Sequence, residues 1–433
     1  MRSRRVRLAR SGSLALLAAA VSGARAAADP PFQWTPGLQL EGASFLQDQS
    51  WFGQSQKNVG VPSGPWLESV ATPSLDWAYG LSKGAGAYGR LSAIAASTAG
   101  DDAAGADAGG RRTTDLELED AYVGWRSGDL LADTLGRDAL DISVGRRKYQ
   151  VGSGFLFWKE SSNGASRAAY GVAPRKAARM AATTRITTHG WALDTVYLEF
   201  NDKPSTHTRL IGSDLSYTSS AWGQAGVAIY KFLGSDRPTR AGMRMYDVRA
   251  DTHPLPFLPG LRIAGEYVHQ DNGARLASDA GFAGAGYAFD ALPWAPYVGY
   301  RRAIFSGDDA KTARSEAYDP LAIGISNWGS LVVSKYVQSN TDFQADVLRL
   351  TLKPDRRLDL AVEGYRFRLD QAPSPLASRD FADELDATAQ WRVNKHLTLS
   401  VEGALAKPLA AAVARTGGDR TWSYLILDAR VGF

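Results

Sequence analysis

Hydrophobic and polar residues alternate along most of this chain in segments of about ten residues, separated by Gly, Asp, Asn, Ser and Pro. In Ala139–Arg147, the residues Leu140, Ile142 and Val144 fall on one face of an extended strand and polar residues fall on the other. The same pattern recurs in Arg179–Thr188, Leu261–His269 and His396–Ala406. Half-buried strands of soluble proteins also alternate. The strand length, and polar faces rich in Gly, Ser, Thr and charge, favour a transmembrane β-barrel.

The last segment, WSYLILDARVGF at Trp422–Phe433, shows the clearest alternation. Counting back from Phe433, every second residue as far as Leu425 is apolar and shares its face. A terminal aromatic residue after such a strand resembles the signature that the outer-membrane assembly machinery recognises. Any exposed C-terminal strand can end in Phe. The insertion signature is favoured because residues 1–26 also resemble a secretory signal peptide.

The spacing of the segments predicts eighteen strands. Long connections fall consistently on one side, at about 46–65, 98–115, 149–178, 201–207, 233–241, 270–280, 306–328, 370–382 and 407–421. Short ones fall on the other, near 83–85, 127–138, 189–190, 219–222, 253–260, 291–294, 353–357 and 394–395. The count is even, as single-chain bacterial barrels require, if 331–352 is one strand or if 331–337 belongs to the loop. We therefore expect an all-β, antiparallel up-and-down barrel with long extracellular loops and short periplasmic turns.

Residues 1–26 have the three parts of a secretory signal peptide. Five arginines precede the apolar run Leu14–Val21, and Ala24 and Ala26 form a small-residue cleavage site. The apolar run is too short to span a bilayer as a helix. The alternative interpretation of residues 1–26 is a disordered basic arm. We expect cleavage after Ala26, or after Ala28, which leaves 27–433 as a single barrel domain.

The charge and the rare residues exclude several classes of function. The chain has 49 basic and 45 acidic residues, but six of the basic ones lie in 1–26, so that 27–433 hold 43 basic and 45 acidic residues. The resulting net charge of −2 argues against a nucleic-acid partner. The absence of cysteine excludes thiol catalysis and disulfides, and none of the five histidines is spaced as a metal-binding pair. We expect neither a cofactor nor a metal.

The width of the barrel indicates a conduit. Side chains alone cannot fill the interior of an eighteen-stranded barrel, so water with inward-folded loops, or a plug, must occupy it. The expected partners are outer-membrane lipid, the assembly machinery acting through Phe433, and an anionic or saccharide solute. The class of protein that we expect is a porin located in the bacterial outer membrane.

Two regions resemble the alginate-export family of outer-membrane porins. DLELEDAYVGWR at Asp115–Arg126, followed by VGRRKYQVGSGF at Val144–Phe155, is similar to the family's acidic strand and G-R-[QR] element. Tyr300–Gly329 is similar to its GDD…(F/Y)DPL…WG stretch. The resemblance implies an eighteen-stranded barrel that exports an anionic polysaccharide past an arginine-rich constriction, with periplasmic partners. The matching positions are Arg146, Arg147, Arg301, Arg302, Asp308, Asp309 and Asp319.

Alternation places a set of arginines on the luminal faces: Arg147, Arg179, Arg185, Arg262, Arg301, Arg349, Arg392 and Arg430. Arginine suits an anion path because it is always charged and its donor fork matches a carboxylate. Acids such as Glu363 and Asp428 share these faces, so a structural salt-bridge ladder competes with this interpretation at every position. Arg146 falls on the lipid face unless its strand has already ended.

Loop residues supply further constriction candidates: Arg146, Arg302, Asp308, Asp309, Asp319, Trp158 and Trp328. Most of the twelve tryptophans lie near strand ends, which predicts an interfacial girdle, but Trp158 and Trp328 lie in long loops and are also suited to stacking against sugars. The acids of 308–319 are candidates for calcium ligands or for solvated loop carboxylates.

Three functions compete. A polysaccharide exporter and a general small-solute or nutrient porin both fit a wide barrel with luminal arginines. Some outer-membrane barrels are lipases or acyl transferases, and Ser205 and His207 lie together in one loop, but nothing resembles a nucleophile elbow. A conduit that is not an enzyme is the interpretation that the sequence favours.

Deletion of Phe433 tests the insertion signature. We expect less barrel assembled in cells, because the terminal aromatic residue is lost, while the purified chain still refolds in detergent. The folded fraction is read from the heat-dependent shift on gels. Unchanged assembly in cells would show that Phe433 is an ordinary strand end.

Overall fold

The computed structural model describes residues 32–54, 64–100, 113–158, 164–253, 255, 257–321, 328–337, 340–372 and 378–433. The predicted signal peptide, 1–26, lies outside these residues and stays a prediction. Among the described residues, no helix combines the length and the apolar character needed to cross a membrane.

The described chain forms one closed sheet of eighteen antiparallel strands, as the sequence predicts. Each strand is hydrogen-bonded to the next in the chain, and β1 pairs with β18 to close the barrel. The strands are β1 Phe32–Asp48, β2 Gly64–Gly80, β3 Gly86–Gly100, β4 Thr114–Arg126, β5 Leu140–Arg146, β6 Met180–Thr188, β7 Trp191–Glu199, β8 Arg209–Ser219, β9 Gly223–Gly234, β10 Arg244–Thr252, β11 Leu261–Asp271, β12 Ala277–Ala288, β13 Tyr297–Phe305, β14 Phe343–Asp355, β15 Leu358–Leu369, β16 Asp380–Arg392, β17 Leu397–Pro408 and β18 Trp422–Gly432. Closure leaves no strand edge exposed, which is what a β-structure in lipid requires.

The two faces of the sheet differ as the alternation predicts. Large apolar side chains on the outer face are exposed, with Leu116 at 70%, Leu348 at 60% and Val227 at 51%. The tryptophans at the short-turn end are exposed as well, which fits an interfacial girdle. They are Trp34, Trp191, Trp294 and Trp391.

Nine connections lie at one end of the barrel and eight at the other, and the two longest, β5–β6 and β13–β14, belong to the set of nine. Residues 331–337, which alternation alone leaves open, belong to the β13–β14 loop, in a helical segment that we call the inward helix, Gly329–Val337. The other short helical segments are Ser50–Gly53, Ser82–Gly84, Ala165–Arg167 and Ala410–Thr416.

The hydrophobic core lies inside the barrel. The β5–β6 and β13–β14 loops fold into the lumen and pack their apolar side chains against inward-facing strand residues. Phe155 of the first loop contacts Phe282 and Phe305 of the wall, at ring-centroid distances of 5.3 and 5.4 Å. Trp328 of the second loop joins the same cluster, 5.8 Å from Phe305. These two loops therefore narrow the lumen.

Leu348→Arg tests the assignment of the faces. Leu348 lies on the outer face near the middle of β14, so burying the guanidinium in lipid should lower the free energy of unfolding by about 2–4 kcal/mol. Thr351→Arg is the matched control, because Thr351 is on the same strand but lines the luminal cavity. Urea titrations of barrels in lipid vesicles measure both. Equal losses for the two variants would contradict the orientation of β14.

Candidate functional site

A cavity of about 1270 Å³ lies between the inward loops and the barrel wall. Trp158 and Tyr170 of the β5–β6 loop and Ser330 of the inward helix face it from the loop side. Strands β10 to β18 and β1 supply the wall. The cavity lies inside the barrel and is bounded by both loops and the wall.

Four cations line one side of the cavity, and we call them the luminal cation row: Arg262, Arg301, Arg349 and Lys353. Arg301 lies opposite Val347 across the β13–β14 pairing, so Arg349 is its diagonal neighbour. Neither Arg262 nor Lys353 forms an ion pair within the described part of the chain. Arg349 has one contact, 3.5 Å from Nε to Glu363 Oε1, and its side chain is 47% exposed. Arg262, Arg349 and Lys353 are thus presented to water.

Arg301 combines charge with an aromatic surface. Its guanidinium carbon lies 4.3 Å from the ring centroid of Trp328, a cation–π arrangement. Trp328 is itself held by Phe155 and Phe282. The contact holds the guanidinium against the ring at the cavity wall.

Another sector of the wall is acidic. Glu41 of β1, Glu402 of β17 and Asp428 of β18 line the cavity there. Arg430 is neutralised by two of them, at 3.0 Å to Glu41 and 3.4 Å to Asp428. Cations and acids therefore both line the cavity.

Glu68 anchors the β5–β6 loop. This β2 side chain is 2% exposed, and its carboxylate accepts the backbone amides of Tyr170 at 2.9 Å, Gly171 at 2.8 Å and Val172 at 3.1 Å. The indole of Trp66 donates to it as well, at 2.8 Å. Hydrogen bonds to a charged acceptor are the strong ones, so Glu68 fixes this stretch of the loop against the wall.

Two acids of β4 anchor the other end of that loop. Glu117 accepts both terminal nitrogens of Arg175, at 2.6 and 2.8 Å, and Nε of Arg167 at 3.1 Å. Glu119 accepts the amides of Lys176 at 3.0 Å and Ala177 at 3.1 Å. The two arginines are buried, and their charges are neutralised by these carboxylates.

Glu384 and Asp386 of β16 hold the start of the inward helix. Glu384 uses both oxygens, accepting the amides of Leu331 at 2.8 Å and Val332 at 2.7 Å, while Asp386 accepts the amide of Ser330 at 3.0 Å. Both acids are 3% exposed. The first amides of a helix lack intrahelical partners, so the wall supplies them.

Asp319 fixes the β13–β14 loop from a third direction. Arg240 of the β9–β10 loop donates to both of its oxygens, at 2.8 and 2.5 Å. The amide of Gln270 exchanges two hydrogen bonds with the backbone of Asp319, at 2.8 and 2.9 Å. The neighbouring Tyr318 hydroxyl is fully buried, and burial raises its pKa well above the ordinary value. Asp319, predicted as a constriction residue, is therefore a buried anchor of the loop.

The predicted luminal arginines divide into those that line the cavity and those that face inward beyond it. Arg262, Arg301 and Arg349 line the cavity. Arg147, Arg185 and Arg392 also face inward, but each has a wall partner: the Ser143 hydroxyl, Asp194 at 3.5 Å and Asp359 at 2.6 Å. These three arginines therefore act as structural side chains of the wall, through a salt bridge or a hydrogen bond.

Three predicted arginines lie elsewhere. Arg302 is on the outer face of β13, because successive side chains of a strand point to opposite faces and Arg301 points inward. Its guanidinium lies 3.2 Å from Asp346. Arg179 is exposed just before β6, and Arg146 donates to the Glu119 carbonyl at 3.1 Å, away from lipid. The constriction role predicted for Arg302 is therefore wrong.

Asp308 and Asp309 do not line the cavity. They form a turn within the β13–β14 loop, in which Asp308 accepts the amide of Glu316 at 2.9 Å and Asp309 that of Lys311 at 3.0 Å. Among the described residues, no group of three His, Asp or Glu side chains is arranged to hold a metal ion. Trp158 and Trp328 are luminal, as their loop positions suggested.

The alternation rule missed the loop anchors. Glu68, Glu119 and Glu384 could be placed on inward faces, but their partners are backbone amides of distant loops, which no local pattern identifies. Lys353 was also missed, because it falls in the segment interpreted as a turn.

No protein-family model and no curated protein matches the sequence of this chain. Its fold matches solved barrels from Pseudomonas aeruginosa. OccK5 (OpdH) gives a TM-score of 0.58 at 11% identity, with 92% of this chain and 98% of that chain covered. OccK2 (OpdF) in complex with glucuronate gives 0.56 at 10% identity over 92% and 98%, and OpdK with vanillate gives 0.56 at 10% over 92% and 99%. The likeness shows an eighteen-stranded porin-type fold and does not show membership of the alginate-export family.

The double variant Glu384→Gln/Asp386→Asn tests the anchoring of the inward helix. An amide side chain has one acceptor oxygen where Glu384 uses two, and each lost partner of a buried amide costs about 1–3 kcal/mol. We expect larger and noisier single-channel currents in planar bilayers.

Glu402→Gln is the control, because Glu402 faces the same cavity and accepts no described loop amide. It should keep the parent's steady current level. A double variant with the parent's conductance and noise would contradict the view that these carboxylates hold the loop.

Proposed function

We propose that this chain is an outer-membrane porin through which small carboxylated solutes diffuse. The observation that carries the proposal is the luminal cation row, exposed on a cavity that two anchored loops narrow. The long-loop end then faces the outside of the cell and the short-turn end the periplasm. The barrel itself performs no covalent chemistry, and no cofactor takes part.

The chemistry of the row suits a carboxylate. A guanidinium offers a two-pronged donor to its two oxygens, and the Trp328 ring beside Arg301 offers an apolar surface for the body of the solute. Arg262, Arg349 and Lys353 supply successive charges, so that a solute can move from one contact to the next. The solved barrels with glucuronate and with vanillate support this choice of solute class, because both ligands are carboxylates.

Export of an anionic polysaccharide is the second candidate, and the alginate-export-like motifs are the observation in its favour. A polyuronate presents the same carboxylates to the same row. The two candidates differ in size selection. Proteoliposomes that admit glucuronate and exclude its oligomers indicate a small-solute porin, whereas passage of long oligomers, and loss of a secreted polysaccharide on deletion, indicate an exporter.

Arg301→Gln tests the anion path. Removing one of the four cations of the row should lower the anion-to-cation permeability ratio, and the effect should shrink at high salt because screening shortens the field. The reversal potential under a KCl gradient, at low and high ionic strength, measures the ratio.

Arg302→Gln is the matched control: it removes the same charge from the next residue of the same strand, on the outer face. Its reversal potential should equal that of the parent. If the two variants shift the potential equally, or if neither does, the luminal row does not set the selectivity and the proposed function fails.

A further inference from the structure

Three cations stand on the outer face of the barrel at the long-loop end of β8, β9 and β10. We call Arg209, Lys231 and Arg244 the outer cation cluster; all three are exposed. Their chain neighbours point into the lumen and are fully buried: Leu210, Tyr230, Phe232, Met243 and Met245. Because side chains alternate along a strand, the three cations must point away from the lumen.

No member of the outer cation cluster is in direct contact with an acidic side chain among the described residues. None of its members forms an ion pair with a described residue. Lys231 and Arg244 lie directly opposite each other in the β9–β10 pairing, an arrangement of like charges that destabilises a sheet. Arg209 leans over Gly234 of β9: a Cβ at that glycine would lie 3.2 Å from its terminal nitrogen. Three positive charges therefore gather on adjacent strands.

The nearest acids by register are Glu199, opposite Arg209, and Asp271, opposite Arg244. Neither acid forms an ion pair with the cation opposite it, and two acids against three cations leave the sector with a positive charge. Glu199 binds the Tyr197 hydroxyl at 2.7 Å, and Asp271 binds the Gly273 amide at 3.2 Å. No acid stands opposite Lys231, which faces Arg244 on one side and Ile211 on the other.

Elsewhere on the same face, three outward arginines contact acids. Arg302 and Arg368 both contact Asp346, at 3.2 and 2.9 Å, and Arg366 contacts Asp383 at 3.0 Å. These arginines contrast with the β8–β10 sector, where three outward cations on adjacent strands make no ion pair with a described residue.

The height of the cluster fits a lipid headgroup. At the other end of the same strands, the rings of Trp191, Tyr217 and Trp222 stack in the position of an interfacial girdle. Arg209 is eight residues from Tyr217, which corresponds to about 20 Å along the membrane normal for a tilted strand. The apolar band of such barrels is about 25 Å tall. The cations therefore lie at the outer boundary of the bilayer.

The surface between the cluster and the girdle is apolar. The side chains of Ile211, Val227, Ile229 and Val248 are each about half exposed there. Acyl chains can lie on this surface while the headgroup of the same lipid reaches the cations. A single lipid molecule could therefore bind the cations through its headgroup and cover the apolar surface with its acyl chains.

We propose that the outer cation cluster binds a phosphate-bearing lipid of the outer leaflet. A phosphate monoester carries close to two negative charges and three acceptor oxygens, which match two guanidiniums and one ammonium. Binding relieves the repulsion between Lys231 and Arg244. The bound lipid covers the outside of the barrel and takes no part in the path through the lumen.

The test is lipid retention by the purified barrel in detergent, read by native mass spectrometry with diphosphoryl lipid A as the probe. The parent should retain one molecule per barrel. The variant Arg209→Gln/Lys231→Gln/Arg244→Gln should retain it at least about tenfold less well, since each cation near a charged lipid surface contributes to attraction. Dephosphorylated lipid A should bind the parent as weakly as the phosphorylated probe binds the variant.

The variant Lys83→Gln/Arg356→Gln/Lys395→Gln is the charge-matched control, because these exposed cations lie at the short turns. It should bind the probe like the parent, and all three proteins should show the same anion selectivity. Equal binding by the parent and the cluster variant, or equal binding of the two forms of lipid A, would overturn the proposal. So would a barrel dimer or trimer that the cluster variant alone fails to form in lipid-free micelles, because the cluster would then be a contact between copies.

Discussion

The need to satisfy every backbone amide in lipid sets the whole architecture. A sheet in a bilayer has no water for its edges, so it closes on itself, here through β1 and β18. Closure with eighteen strands leaves a lumen wider than wall side chains can fill. Two loops enter it, and they bring their own unpaired amides into a confined space. The wall meets that demand with carboxylates: Glu68, Glu119, Glu384 and Asp386 accept loop amides where water has been excluded.

This use of carboxylates also shapes the field in the lumen. An acid committed to loop amides has its charge spread over close donors, and Glu117 is further neutralised by buried arginines. The cations of the luminal row have fewer such partners and face the cavity. A net charge of −2 for residues 27–433 therefore says little about selectivity. A solute in the lumen meets the charges of the lining and not the net charge of the chain, and that lining includes exposed arginine and lysine.

The fold could be predicted from the sequence because the strands of a barrel are determined by patterns among neighbouring residues. Period-two alternation and turn residues determine strand number, order and facing, and every strand pairs with its chain neighbour. The site was predicted only in part. Alternation placed Arg262, Arg301 and Arg349 correctly, whereas Arg302 was assigned to a constriction on the likeness of its motif, against its own position in the alternation. The loop anchors could not be predicted, because an inward fold joins residues more than fifty positions apart, such as Glu384 and Leu331.

The contrast between Arg301 and Arg302 shows how one strand serves two environments. Adjacent arginines lie on opposite faces, one against Trp328 in the lumen and the other beside Asp346 outside. A sheet one residue thick thus separates charges that meet solute from charges that meet lipid. The same period places Lys231 outside while Tyr230 packs inside against Phe157. Because the two sets of side chains share only the backbone, the solute path and the lipid contact surface can change independently, and a barrel of unchanged fold can acquire a new solute without altering its fit to the membrane.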